Sequence, residues 1–164
     1  MSLLDKEPVK RVEKFLKDFD KSLEVIILEN SARTAKDAAK ALNCNVGAIV
    51  KSLLFKAGDV FILCLVAGDK RCSLNKLKEI KDEKDISMAS PEDVKAQTGY
   101  TIGGVSPVGH LEKIEIIIDN SLERFNELFA AAGHSNFVFK INFREIQKIT
   151  NGKVEDIIEW DSLN

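Results

Sequence analysis

The chain has 164 residues, 45% of them hydrophobic and 30% charged, with a formal net charge of −2. That length and apolar content suit one compact domain with a sizeable core, and the charge excludes a generally basic nucleic-acid binder. No apolar run reaches the roughly 20 residues of a membrane-spanning helix, and Asp5, Lys6 and Glu7 lie where a secretory signal would be apolar, so the expectation is a soluble, untargeted protein.

The first predicted element is an amphipathic helix over 8–19, with Val9, Val12, Phe15, Leu16 and Phe19 at helical spacing and Lys10, Arg11, Lys14 and Lys17 between them. Residues 23–29, β-branched in the middle, read as a strand. Thr34 resembles a cap, with Asp37 in the first turn of an alanine-rich helix that Asn43 ends. Residues 48–55 and 60–66 predict a hairpin around Lys56-Ala57-Gly58-Asp59, its strands apolar on both faces, so something must cover each face. After a turn at 67–71, Leu74, Leu77 and Ile80 predict a helix with Lys76, Lys78 and Lys81 outside. Ser90-Pro91-Glu92-Asp93 combines a cap, a proline at the first helical position and two acids toward the positive dipole end, and Gly99 would end that helix.

The stretch from Gly99 to His110 then holds four of the nine glycines and one of the three prolines. The plain reading is a crossover between elements. The functional reading is one held shape, fixed at Pro107, that aims backbone N–H and C=O groups at a ligand. Residues 114–119 read as a strand. Residues 121–132 fit a helix through Leu122, Phe125, Leu128 and Phe129, yet Ala130-Ala131-Ala132-Gly133 also reads as the end of a strand, and both readings stand. A strand over 137–141, a helix capped by Asn142 and closed by Gly152, a last strand over 154–158 and a peripheral tail at 159–164 complete the chain.

Lys51 is the charge out of place. On its strand it shares a face with Ile49, Leu53 and Phe55, while Val50, Ser52 and Leu54 take the other, so neither face solvates it. Either it snorkels out and pairs with Asp69 or Asp119, or it lines a cleft and meets an oxygen-rich ligand. His110 and His134 are too far apart to suggest a metal site, and Cys44, Cys64 and Cys72 form no C-x-x-C pair, so neither metal nor cofactor is expected and the cysteines read as packing residues in a reducing cytoplasm. Ser106 lacks the glycine-flanked setting of a nucleophilic elbow. Residues 1–84 carry 17 Lys and Arg against 13 Asp and Glu, which makes that half the basic one, either as solvated helix faces or as a surface for an anionic partner.

Three blocks carry a likeness: Thr34 to Ala39 leading to Ile49-Val50-Lys51-Ser52-Leu53, then Ala67-Gly68-Asp69-Lys70-Arg71, then Thr98 to His110. In order and spacing they resemble the YbaK/prolyl-tRNA synthetase-associated domain family, over roughly residues 23–158. The resemblance implies an α+β fold, a single domain over 1–164 whose mixed, mostly antiparallel, barrel-like sheet has helices around it. It implies a trans-editing aminoacyl-tRNA deacylase, hydrolysing the ester that joins an amino acid to the terminal ribose of a mischarged tRNA. Lys51, Gly103, Gly104 and Pro107 match the catalytic lysine and the Gly-x-x-x-Pro loop, and Ser52, Ile102, Val105, Ser106 and His134 become substrate-binding candidates. The implied partners are the 3′-aminoacyl-adenosine end of tRNA and prolyl-tRNA synthetase, with no membrane. Where the cysteine-removing branch has a serine and an aspartate, this chain aligns Ala131 and Val138, which favours alanine or 2-aminobutyrate on tRNA(Pro) over cysteine. A non-catalytic module that binds a tRNA end or a synthetase is the alternative of another class, and a hydrolase of other esters is the third.

Overall fold

The computed structural model describes residues 6–159, so the predicted tail, apart from Glu159, lies outside the described residues. Helix α1 (Glu7–Phe19) starts on a proline in its first turn and buries Val9, Val12 and Leu16. Phe15 and Phe19, expected on the same apolar face, stay largely exposed. In chain order there follow β1 (Val25–Ile27), α2 (Ala35–Leu42), a 3-10 turn at Val46–Ala48, and the hairpin β2 (Ile49–Ala57) and β3 (Val60–Ala67). Then come α3 (Leu74–Lys81), β4 (Ile86–Met88), α4 (Pro91–Thr98), β5 (Glu115–Asp119), a 3-10 turn at Asn120–Arg124, β6 (Leu128–Ala131), β7 (Phe137–Ile141), α5 (Phe143–Thr150) and β8 (Lys153–Glu155).

The helix boundaries follow from local chemistry. Thr34, Ser73, Ser90 and Asn142 each accept a hydrogen bond from the backbone N–H three residues on, which satisfies a donor the first helical turn leaves free. Asn43, Asp82 and Asn151 take left-handed conformations at the other ends. Asn151, and not Gly152, therefore closes α5.

The strands form one mixed sheet in the order β1-β7-β6-β2-β3-β5-β8, with β4 paired to β2 off that path. Four pairings are antiparallel (β1/β7, β6/β7, β2/β3, β2/β4) and three are parallel (β2/β6, β3/β5, β5/β8). The path has two free ends, so the sheet is open and only loosely barrel-like, and its antiparallel majority is narrow. This is a single α+β domain. Both faces of the central hairpin are covered. Val50, Leu54, Leu63 and Leu65 pack with α1, Val94, Tyr100, Val105 and Ile146; Phe55, Ile62, Cys64 and Val66 pack with Leu77, Ile86, Ile157 and Ile158.

Residues 121–132 resolve into the 3-10 turn and β6, so the helical reading fails, whereas the strand-end reading holds at Ala130 and Ala131. Long-range pairing overrides the helical spacing there, because β6 bonds β2 on one edge and β7 on the other. The short β4 buries only Ile86, too little pattern to be read as a strand. The last strand ends at Glu155, and Ile158 forms an isolated bridge to Cys72.

Candidate active site

The site begins with an interruption in the sheet. β2 is paired along one edge by β3, but along its other edge by β6 only at Ile49 and Val50 and by β4 only from Phe55 to Ala57. The carbonyl of Ile49 accepts from Gly68 N, 2.8 Å away, which fixes the alternation: odd-numbered residues of β2 turn their backbone groups to β3, even-numbered ones to the other edge. Val50 thus bonds β6, and Leu54 O accepts from Ala89 N at 3.0 Å. Ser52, between them, turns its N–H and C=O into the fork, where they have no partner among the described residues. Its Oγ is also buried without a hydrogen bond.

The fork opens into a cavity of about 410 Å³. Lys51 and Ser52 line it from β2, Ile102, Gly103 and Val105 from the glycine loop, and Arg33, Thr34 and Ala35 from the start of α2. The loop and the lysine, far apart in sequence, therefore wall one space. Gly104, Ser106, Pro107 and His134, also expected at the site, do not line it. Ser106 and Pro107 are buried within the loop. Gly104 packs on the backbone of Gly133 and His134, its carbonyl accepting from Gly133 N at 3.1 Å. His134 accepts from Asn136 N through Nδ1 at 3.1 Å and lies edge-on to Phe137.

The ion pairs expected for Lys51 do not form. Asp69 is held by the Arg124 guanidinium through bonds of 2.8 and 3.1 Å. Asp119, fully buried, accepts from Ser121 N at 2.9 Å and Ile157 N at 2.8 Å, capping the 3-10 turn and anchoring the segment after β8. The Lys51 ammonium instead donates to the carbonyl of Lys70. Burial pushes its pKa below the ordinary lysine value, while the charge of Asp69 opposes this. A half-buried cation bonded to a neutral acceptor keeps donors and charge to spare for an oxygen-rich ligand.

The loop has a fixed shape, and Arg11 and Tyr100, which the sequence leaves without a role, hold it. Tyr100 is fully buried, with its hydroxyl 2.6 Å from Val108 O and 3.0 Å from Gly109 O. Burial raises its pKa to about 12, so it stays a donor. Arg11 of α1 donates to Gly109 O at 2.6 Å and Thr98 O at 3.1 Å, and its guanidinium carbon lies 4.8 Å from the centre of the Tyr100 ring. Both ends of the loop are thus tied to one side chain. Arg11→Ala is expected to cost about 2 kcal/mol of stability, the worth of charge-assisted bonds to carbonyls, and to lower activity by loosening the loop; urea denaturation and initial rates check both.

His110 closes the loop, its Nε2 2.7 Å from Ser106 O. Burial depresses its pKa, the Arg11 charge adds to that, and the bond to Ser106 opposes it. The neutral ring is therefore the folded form, and below the ordinary histidine value of about 6.5 the unfolded chain takes up the proton first, so stability falls with acid. Between pH 7 and pH 5 the thermal midpoint is expected to drop, and His110→Gln is expected to flatten that slope.

Fold and cavity define a class: an α+β domain with a cavity in a fork of its sheet, walled by a glycine loop and a lysine. A profile described as "aminoacyl-tRNA editing domain" matches residues 29–149, and the chain belongs to that family. It is 33% identical over 147 residues to the uncharacterized protein YwhH of Bacillus subtilis (strain 168), covering 89% of this chain and 93% of that one. It is also 33% identical over 135 residues to the proline–tRNA ligase of Lactobacillus acidophilus, covering 82% of this chain but only 24% of the ligase. A crystal structure described as a candidate trans-editing enzyme for prolyl tRNA synthetase superposes with a TM-score of 0.89 at 35% identity, covering 94% of this chain and 99% of that one. Helix α1, with Arg11, lies outside the matched family segment. No helix among the described residues is long and apolar enough to cross a membrane.

Proposed function

We infer that this protein is a deacylase that hydrolyses the ester of mischarged aminoacyl-tRNA, acting on alanine or 2-aminobutyrate carried by tRNA(Pro). One observation carries the reading: Lys51, with no carboxylate partner among the described residues, and the loop at Gly103 face the same cavity. An aminoacyl ester is already activated, so a site that positions water, carbonyl and ribose can accelerate its hydrolysis without a protein nucleophile. Water adds to the carbonyl carbon, the bond to the ribose oxygen breaks, and the proton from water ends on that oxygen. Lys51 stabilises the oxygen that becomes negative, or the adjacent phosphate, and the loop from Ile102 to Val105 shapes the space in which water attacks.

The preference for a small apolar side chain rests on the lining. Ala131 and Val138, the positions where a cysteine-removing site would carry a serine and an aspartate, both reach the cavity and offer no hydrogen bond. One methylene changes binding in such a site by only about 1–3 kcal/mol, so the upper size limit is steric. The test is release of amino acid from Ala-, 2-aminobutyryl-, Cys- and Pro-tRNA(Pro). Hydrolysis of the first two at rates well above the others is expected; failure to hydrolyse any mischarged species overturns the reading and leaves the non-catalytic module, which would bind the uncharged tRNA. Prolyl-tRNA synthetase is the natural source of the mischarged substrate. Contact with tRNA through Arg33 at the cavity and the exposed Lys36 and Lys40 of α2 predicts an affinity that falls steeply with salt, read by filter binding across a salt series.

A further inference from the structure

We propose that the unpaired backbone of Ser52 is an adenine-reading edge, donating its N–H to a ring nitrogen of the base and accepting from the exocyclic amino group through its C=O. Such a site deepens the proposed function, since a tRNA ends in adenosine, but it rests on its own observations.

The first is the fork. In a strand the N–H and C=O of one residue lie side by side and point the same way, so Ser52 presents a donor and an acceptor in the plane of the sheet. More than nine in ten buried backbone groups in folded proteins find partners, and the Ser52 pair, half-buried and facing the cavity, is left for a ligand or water to satisfy. Here the ladder to β6 stops at Val50 and that to β4 stops near Leu54, and nothing among the described residues replaces them.

The second is the shape of what surrounds the pair. Val94 and Val105 reach the cavity from the core on one face of the sheet, whereas Ala35, Ala38 and Ile49 reach it from the cluster on the other face. A group seated in the fork therefore meets apolar side chains above and below and the Ser52 backbone at its edge, with the Ser52 Oγ and the polar side chains of Lys51, Arg33, Thr34 and Ser135 elsewhere on the lining. This is the environment of a flat heteroaromatic ring with a donor beside an acceptor. The 6-amino group and N1 of adenine supply that pair in the required sense. Unsubstituted purine lacks the donor, and hypoxanthine presents the two in reversed order.

The remaining cavity groups keep other tasks. Lys51 and Arg33 supply charge for phosphate or carbonyl oxygen, and Gly103 gives close approach of backbone. The Ser52 side chain is too short to span a base edge, so the backbone carries the recognition and the identity of the side chain matters less.

The test compares adenosine 5′-monophosphate with purine riboside 5′-monophosphate, which differ only by the amino group. In an amide-resolved NMR titration of the full chain, the Ser52 N–H is expected to move with the adenine nucleotide, and the purine nucleotide is expected to bind about tenfold more weakly, the worth of one hydrogen bond. A second arm measures deacylation of Ala-tRNA(Pro) whose terminal nucleoside is adenosine or purine riboside, with the same ratio expected. Ser52→Pro removes the donor without breaking a bond to β3, and is expected to weaken binding of the adenine nucleotide. An unmoved Ser52 amide at saturation, or equal affinity for the two nucleotides, overturns the adenine site. Hydrolysis that ignores the terminal base overturns it as well, while leaving the deacylase standing. A selective Ser52 response without hydrolysis of any mischarged tRNA sinks the deacylase and leaves a site for a free adenine nucleotide.

Discussion

Lys51→Ala is expected to lower deacylation by about 10²- to 10³-fold, the usual cost of removing one preorganised donor from where charge develops, with the fold retained. The reasoning starts in β2. Lys51 sits opposite Val66, its stem between the side chains of an apolar strand, and its ammonium reaches a carbonyl and not a carboxylate. Truncation to alanine removes packing as well as charge, so Lys51→Met is the sharper variant, keeping the stem and losing only the ammonium. It is expected to match the alanine variant in rate. If Lys51→Met keeps the parental kcat/KM, the charge has no part in the chemistry.

The same substitution carries a stability sign. Because burial lowers the pKa of Lys51, the folded state holds its proton less tightly than the unfolded state does. Between the lowered value and the ordinary one near 10.4 the unfolded chain binds more protons, so the charged ammonium costs stability at neutral pH and that cost is relieved as pH rises through this window. Lys51→Met is therefore expected to have a higher thermal midpoint than the parent at pH 7, read by calorimetry. A variant more stable and less active is the signature of a group kept for function against the preference of the fold. Activity that depends on the charge is expected to fall as pH rises through the lowered value.

How much of this was legible in the sequence differs by element, for physical reasons. Helix starts are local: Thr34, Ser90 and Asn142 announce themselves because the capping atoms and the N–H groups they satisfy lie within three residues. Lys51 was visible as a misfit because strand alternation leaves it no polar face, but its acceptor was not, since the Lys70 carbonyl is an unremarkable backbone group beyond the end of β3. Arg11 reads as one more solvated charge on α1; its role appears only when the fold brings the loop beneath it. Ser52 was named through the family likeness, whereas its open edge depends on where two distant strands, β6 and β4, cease to pair with β2. Pairing limits of that kind are set by the whole sheet, and local periodicity does not report them.

The two glycines of the loop are expected to fail for different reasons when replaced by alanine, and the contrast tests whether loop shape governs catalysis. Gly103 has φ +98, a conformation alanine adopts only with strain, yet a Cβ there would meet nothing within 4 Å. Gly104 has an ordinary backbone, but its Cβ would lie 2.9 Å from the Cα and N of His134 and 3.0 Å from the carbonyl carbon of Gly133. Those are backbone atoms, which do not rotate aside. Gly104→Ala must push the loop away from the turn after β6 and stretch the bond from Gly133 N to Gly104 O, at a cost of about 1–3 kcal/mol. Gly103→Ala carries a strain of about 1–3 kcal/mol, which it can relieve by rotating the loop, with no neighbour to obstruct it. Relief by rotation moves the part that lines the cavity, whereas the clash at Gly104 acts on its support. Gly103→Ala is therefore expected to lose activity out of proportion to stability, and Gly104→Ala to lose both; a displacement of about 1 Å at the reacting groups is worth 10²-fold in rate. Thermal midpoints and kcat/KM for the pair decide it. Parental rates in a folded Gly103→Ala protein would remove the loop from the chemistry and leave it the plain crossover that its composition first suggests.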